Sequence, residues 1–565
     1  MRILLLTHAF NSLTQRLSAE LQLRGHEISI EFDIADSVTE EAVTLFRPEI
    51  IVAPYLRRAI PESVWSQYRC LIVHPGVVGD RGPSALDWAI QEGASEWGVT
   101  VLQAESEMDA GPVWASANFP MRAVKKSSLY RHEVTKAATS AVLLAVERAA
   151  GQDFQPQRPC SSQWRPLMRQ AERRIDWQLD GSATVLRKMG AADGFPGVAD
   201  HLFGQDCHLF DAWPESERRG SPGTVIGRRA TALLRATTDG AVWIGHVKLG
   251  HSIKLPATLA FEDESLTVPE LPLAGWWRAA APTWQDIAYD ETGVVGFLHF
   301  EFYNGAMSTA QCERLREALA WAKQRPVRIL VLMGGADFWS NGIHLNVIEA
   351  ASLNNGSAAD ESWRNINAMN DLARDVINTQ QQLTVAALGG NTGAGGCFLA
   401  RAADLVWARD GVMLNPHYKN MGNLYGSEYW TYLLPRRVGE DAALAIMRDR
   451  QPLTAQRAVE IGFTDACLSE DSGVFRAEVA QRAAELASDP HFEARLGEKL
   501  AARTRDEAVK PLSAYREEEL MHMRRNFYGF DPSYHIARHH FVRKSPLSWT
   551  PRHLARHRDL GWRIP

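Results

Sequence analysis

"LIVHPGVVGDRG" (residues 71–82) is the stretch on which the reading of this chain turns. An apolar run ends on His74, bends at Pro75 and Gly76, and continues to Asp80, Arg81 and Gly82. It reads as a strand that delivers an imidazole to a loop, with an apolar Ile72 two residues before it. The residues upstream supply a sheet for that strand. "RILLL" (2–6), "ISIEF" (28–32) and "EIIVAPY" (49–55) are predicted strands, and Leu13, Leu17, Leu21 and Leu23 recur at helical spacing between the first two. Strand–helix–strand alternation implies an α/β domain with a doubly wound parallel sheet. No GxGxxG follows the first strand, which argues against a dinucleotide. The domain is expected to close with the helix "ATSAVLLAVERAA" (138–150).

The chain has 565 residues, 45% hydrophobic and 23% charged, which implies two to four domains of a soluble globular protein. A net charge of −6 offers no electrostatic footprint for nucleic acid. Cys70, Cys160, Cys207, Cys312, Cys397 and Cys467 form no CxxC pair, so neither a zinc site nor a disulfide framework is expected and a reducing cytoplasm fits. No apolar run is long enough to span a bilayer. The expected organisation is an N-terminal domain over 1–150, a linker and small β-rich, OB-like domain over 151–283, a second α/β domain over 284–500, and a basic helical tail over 501–565.

Residues 1–150, and "WGVTVLQAESEMDAGPV" (97–113) in particular, resemble the folate-dependent formyltransferases. That family includes the methionyl-tRNA and glycinamide-ribonucleotide enzymes. Its pattern, Asn-x-His-Pro-Ser/Gly, then Arg-Gly, then Asp-x-Gly, is met here by His74, Pro75, Gly76, Arg81, Gly82, Asp109 and Gly111. "GFPGV" and "SPGTVIG" resemble the family's C-terminal β domain. The resemblance implies that His74 and Asp109 are catalytic. It also implies that formyltetrahydrofolate binds at Arg57, Ala59, Ile72, Gly76, Arg81 and Gly82. A tetrahedral intermediate on a formyl carbon needs an oxyanion donor and a proton shuttle. Ile72 stands where the family has its Asn, and loss of one such donor costs about 10²–10³ in rate. The domain is then either a binding-only relic or a site with an easier acceptor, such as a thiol.

"MGGADFWSNGIHLNVIEA" (333–350) and "AALGGNTGAGGCFLARAADLVWA" (386–408) resemble the crotonase (enoyl-CoA hydratase/isomerase) superfamily, with Asp404 in phase. The resemblance implies a crotonase-like fold and an oxyanion hole for a thioester built from the N–H groups of Ile343 and Gly395. Coenzyme A is expected against Gly335, Gly342, Ile343, Gly395 and Gly396. The first hydratase glutamate falls at Phe398, so hydration is not expected. The second falls at His417 or Tyr418, depending on the alignment through "NPHYKNMG" (415–422). Tyr418 and Glu428 are the candidate acid/base pair.

A one-carbon donor site and a CoA site in one chain resemble the nickel–iron hydrogenase maturation family that fuses these two halves. "NLYGSEYW" (423–430) and "YHIARHHFVRKSP" (534–546) add to that likeness. The resemblance implies formyl transfer from formyltetrahydrofolate to CoA, then decarbonylation of formyl-CoA to carbon monoxide for the hydrogenase iron. A hydrogenase large-subunit precursor or its maturation complex is the candidate partner. Two alternatives stay open: an amine or sugar-nucleotide formyltransferase joined to an acyl-CoA hydratase/isomerase, and a non-catalytic folate- and CoA-binding scaffold. His535, His539, His540, His553 and His557 carry no HExxH spacing and are read as a docked helical tail, so no metal is assigned.

Overall fold

The computed structural model describes residues 1–151, 153–353 and 356–559. The chain forms two compact units: Met1–Glu270 together with the segment from Pro546 onward, and Leu271–Ser545.

The first unit is built on a six-stranded sheet. Its strands are Arg2–Thr7 (β1), Glu27–Phe32 (β2), Ile50–Tyr55 (β3), Cys70–His74 (β4), Glu96–Gln103 (β5) and Val113–Pro120 (β6), in the order β2-β1-β3-β4-β5-β6. β1 is apolar and buried on both faces, as a central parallel strand must be. Helix α1 (Ser12–Leu23) starts where the Asn11 side chain accepts Thr14 N–H, and it buries Leu13, Leu17 and Leu21. The sheet is parallel only through β4; β5 runs antiparallel to both β4 and β6. The expected parallel sheet is borne out through β4, and the β5–β6 pair extends its edge. β5 and β6 form a hairpin, which closes through a short loop and needs no crossover helix. That loop carries Asp109. The unit also holds a second six-stranded sheet, antiparallel throughout, between Val198 and Pro256.

The second unit has a six-stranded sheet whose strands follow chain order: Ile287–Thr292 (β7), Val295–Phe300 (β8), Ile329–Leu332 (β9), Leu383–Leu388 (β10), Leu405–Arg409 (β11) and Ala466–Leu468 (β12). A four-stranded sheet brings Phe338–Ser340 beside Asn391–Gly393. It thereby aligns the two glycine-bearing loops that follow these strands. Helices α2 (Ala358–Ile377) and α3 (Gly395–Arg401) lie over this region.

The stretch 501–565 is not one tail. Helices α4 (Leu512–Tyr528) and α5 (Ser533–Arg543) bury Leu512, Met523, Phe527 and Tyr534 in the same core as Phe398, Tyr418 and Tyr429. The segment beyond Pro546 belongs to the first unit instead. There Leu554 enters the core and its carbonyl accepts Ile30 N–H at 3.1 Å on edge strand β2. Glu31 of β2, fully buried, accepts His557 Nε2 (2.9 Å), Arg558 Nη2 (2.7 Å) and the Thr550 hydroxyl. Burial alone would raise this carboxyl. The bonds from His557, Thr550 and Arg558 outweigh burial and hold it below the usual range. Two tail histidines are engaged within the second unit: His535 Nε2–H donates to Phe527 O at 2.9 Å, and His539 Nδ1 is 2.9 Å from Glu349.

Glu31→Ala should lower the stability of the first unit by about 3–5 kcal/mol, because it strands buried cations. Denaturant unfolding followed by tryptophan fluorescence checks this. Since the Glu31 pKa is depressed, its contribution is present at neutral pH and is lost as pH falls through its folded value.

Candidate active sites

His74 ends β4 and is only 4% exposed. Its Nε2 is 2.8 Å from Asp80 Oδ2, and its Nδ1 is 3.5 Å from Asp109 Oδ2. Each carboxylate is itself anchored. Asp80 Oδ1 accepts Arg165 Nε at 2.8 Å, and Asp109 Oδ2 accepts Gly82 N–H at 3.1 Å. Arg81 donates to Met108 O (3.0 Å) and to Glu107 (2.7 Å), which stitches the His74 loop to the hairpin loop that bears Asp109. Asp109 is held at φ +53°, a strained conformation of a kind that clusters at functional sites. Ile72 lies two residues before His74 on the same face of β4 and is half-buried. Gly76 packs on the His74–Asp80 pair. Arg57 and Ala59 are exposed after β3; Arg57 N–H donates to Asp33 Oδ2 (3.0 Å), and its guanidinium lies 5.6 Å from the Phe195 ring. The sequence reading missed Asp80 and Arg165. Asp80 stands in the opening stretch, yet an Asp near a turn carries no local mark of a histidine partner.

In the second unit the two glycine loops meet. A Cβ on Gly342 would lie 3.3 Å from Gly395 N, so only a glycine lets the loops approach this closely. Met307 N–H holds Gly342 O at 2.9 Å. A trans peptide then points Ile343 N–H the opposite way. Gly396 packs under Ser340. Gly335 lies apart from this group, in the turn that closes on Phe338 O.

Glu428 reaches the same spot: a Cβ on Gly395 would stand 2.5 Å from Glu428 Oε1. Oε1 has no hydrogen-bond partner among the described residues. Burial pushes the Glu428 carboxyl up to about 8, against a smaller opposing effect of Tyr418. The Tyr418 hydroxyl is 2.5 Å from Glu428 Oε2 and 2.8 Å from Ser427 O. One phenolic proton cannot serve both acceptors. A protonated Glu428 resolves this: its O–H donates to the phenol oxygen, and the phenol donates to Ser427 O. Phe398 stacks on Tyr418 with centroids 5.5 Å apart. A ring thus fills the space of the missing hydratase carboxylate. His417 is buried beside them.

Glu428 and Tyr429 both have positive φ, 59° and 61°. Two bulky residues in this region cost roughly 1–2 kcal/mol each. Asn370 Oδ1, on α2, accepts Glu428 N–H and the Ser427 hydroxyl, both at 2.7 Å. Glu519, on α4, accepts Tyr429 N–H (2.9 Å), Thr431 N–H (2.9 Å) and the Thr431 hydroxyl (2.6 Å). Neither Asn370 nor Glu519 was identified from sequence. Each is one polar residue among many in a long helix, far from the motif loops.

Comparison with known proteins matches both halves of the chain. Residues 31–146 match the formyl transferase family, 167–263 its C-terminal domain, and 300–550 the enoyl-CoA hydratase/isomerase family. The chain is thus a fusion of a formyltransferase and a crotonase-like domain. It is 55% identical to the hydrogenase maturation factor HoxX of Bradyrhizobium diazoefficiens, over 99% of this chain and 97% of that protein. The crystal structure of HypX from Aquifex aeolicus in complex with tetrahydrofolic acid superimposes with a TM-score of 0.97, at 48% identity and complete coverage of both chains. Methionyl-tRNA formyltransferase of Dechloromonas aromatica is 23% identical over 43% of this chain and 80% of that protein. The chain belongs to the HypX/HoxX family of hydrogenase maturation factors. Among the described residues, no helix is long and apolar enough to cross a membrane.

A raised carboxyl pKa means that the folded state holds the proton more tightly than the unfolded one. Its cost is absent at acid pH and grows as pH climbs from the ordinary carboxylate value towards about 8. Glu428→Gln should therefore stabilise the protein by about 2–4 kcal/mol at pH 8 and hardly at all at pH 5. Thermal unfolding at the two pH values measures the difference.

Proposed function

We propose that the two sites run consecutive steps: formyl transfer from formyltetrahydrofolate to coenzyme A, then decarbonylation of formyl-CoA to carbon monoxide for the hydrogenase iron. In the first step the CoA thiol attacks the formyl carbon. The tetrahedral intermediate expels the folate amine, which takes up a proton. His74, between Asp80 and Asp109, suits a proton relay, since a carboxylate on each side stabilises the imidazolium. Ile72 supplies no oxyanion bond, and a thiol acceptor needs less help than an amine or water. The hydrogenase precursor or its maturation complex is the proposed recipient of the carbon monoxide.

In the second step the formyl C–H proton leaves, the C–S bond breaks, and sulfur takes up a proton. The reaction is redox-neutral and releases CO and CoA. Ile343 and Gly395 N–H groups would hold the formyl oxygen. Glu428 in its ionised form would accept the formyl proton, and Tyr418 would relay one to sulfur. The observation that carries this reading is a buried carboxyl, bonded to Tyr418 through Oε2 and with no partner for Oε1 among the described residues, beside the Gly395 loop and Phe398. The folate complex of the Aquifex aeolicus relative supports the donor.

Purified protein given formyltetrahydrofolate and CoA should release CO, read by a haem probe. Formyl-CoA alone should suffice for the second step. His74→Ala and Asp109→Ala should abolish CO from the folate route and leave CO from formyl-CoA intact. Glu428→Gln should do the reverse, losing about 10²–10⁴ in CO release while formyl-CoA accumulates or hydrolyses; Tyr418→Phe should weaken the same step. Ile72→Asn should not increase CO. Steady hydration of crotonyl-CoA would favour two unrelated activities instead. With Glu428 as base, CO release from formyl-CoA should rise with pH and level off above about 8.

A further inference from the structure

We propose that Glu519 is a positioning residue for the second site: from helix α4 it holds the left-handed Ser427–Thr431 turn that aims Glu428 at the Gly395 loop. This rests on the reading of Glu428 as the group that exchanges the formyl proton.

The turn cannot hold itself. Its two central residues are Glu428 and Tyr429, where a left-handed turn ordinarily has Asn and Gly. Its own closing bond, Trp430 N–H to Ser427 O, is long at 3.4 Å. The strain must be offset from outside: Tyr418 donates to Ser427 O, and among the described residues two side chains, Asn370 and Glu519, accept the N–H groups within the turn. Asn370 takes the N–H of Glu428. Glu519 takes the next N–H, of Tyr429, on one oxygen, and the N–H and hydroxyl of Thr431 on the other. Three donors converge on one fully buried carboxylate. A side chain that only filled space would need no such acceptor.

Glu519 lies outside both glycine-bearing motifs, on a helix that follows the crotonase-like sheet. The C-terminal helices are thereby part of the active-site machinery. Removing the Glu519 grip releases Tyr429 and lets Glu428 rotate away from Gly395. Misplacement of about 1 Å at a catalytic group is worth about 10²-fold in rate.

Glu519 also acts on Glu428 through its charge, which opposes ionisation of the neighbouring carboxyl. The other titratable groups facing this pair are Tyr418 from the loop after Met413–Asn415, Cys312 from the helix Thr309–Ala322, and Glu518 from α4. Arg516 and Arg374 face the adjacent Tyr429 from α4 and α2. Replacing Glu519 by a neutral group removes the nearest repulsive charge. The rising limb of the pH profile should then move to lower pH.

The test measures CO release from formyl-CoA against substrate concentration and pH for the full-length parent, Glu519→Gln, Thr431→Val and Glu428→Gln. Glu519→Gln keeps one acceptor oxygen and should lower kcat about 10- to 100-fold, with KM within about threefold and the rising limb shifted acid by about one pH unit. Thr431→Val removes one donor and should lower kcat about 3- to 10-fold without moving the limb. Parental kcat and pH profile in both variants, with Glu428→Gln inactive, would overturn the role of Glu519. Full activity in Glu428→Gln would instead overturn the reading on which it rests. Should Glu519→Gln fail to fold, Thr431→Val decides alone: an unchanged kcat counts against the proposal.

Discussion

A carboxyl group sealed from water at Glu428 is the constraint around which the second unit is organised. An uncompensated buried carboxylate is expensive, and the protein meets that cost by raising the pKa to about 8 and supplying a phenol to share the proton. The same desolvation makes the group useful, because a carboxyl that titrates near neutrality can both take and return a proton. Everything nearby serves its placement. Gly395 leaves room for its oxygen, Phe398 excludes a rival group, and a strained turn pinned by Asn370 and Glu519 directs it.

The first unit solves a different problem. Its histidine is buried at the end of a strand. Carboxylates from two separate loops flank the ring, and each is fixed by an outside donor, Arg165 for Asp80 and Gly82 N–H for Asp109. The hairpin that breaks the parallel order of the sheet is what carries Asp109 back to His74. The position that an oxyanion donor would occupy holds Ile72. In both units one position of the family constellation holds an apolar side chain, Ile72 in the first and Phe398 in the second.

The C-terminal residues serve both units. Helices α4 and α5 enter the core of the second, and Glu519 reaches its reactive turn. The segment after Pro546 covers edge strand β2 of the first, where Thr550, His557 and Arg558 converge on Glu31. His557 and Arg558, which could suggest a metal or an acidic partner, are used in these bonds. An edge strand with open N–H groups invites unwanted pairing, and the contacts at Ile30 and Phe32 remove that opening.

By itself the sequence determined what depends on local pattern. The strands of the two α/β regions are legible because a buried strand must be continuously apolar. His74, Asp109, Gly342 and Gly395 are legible through the family motifs in which they stand. Even the departures, Ile72 and Phe398, can be read from position alone. Only the tertiary structure decided which groups complete each site. Asp80, Arg165, Asn370 and Glu519 act through hydrogen bonds to partners up to 90 residues away in the chain, and no spacing rule encodes such a meeting.

 The Glu519 carboxylate meets Tyr429 N–H across 90 positions of chain, and Asn370 meets Glu428 N–H across 58. Burial supplies the physical reason: the pKa of Glu428 and the grip of Glu519 exist only once the core has closed and excluded water, and that closure is a property of the packed molecule, not of any segment of it.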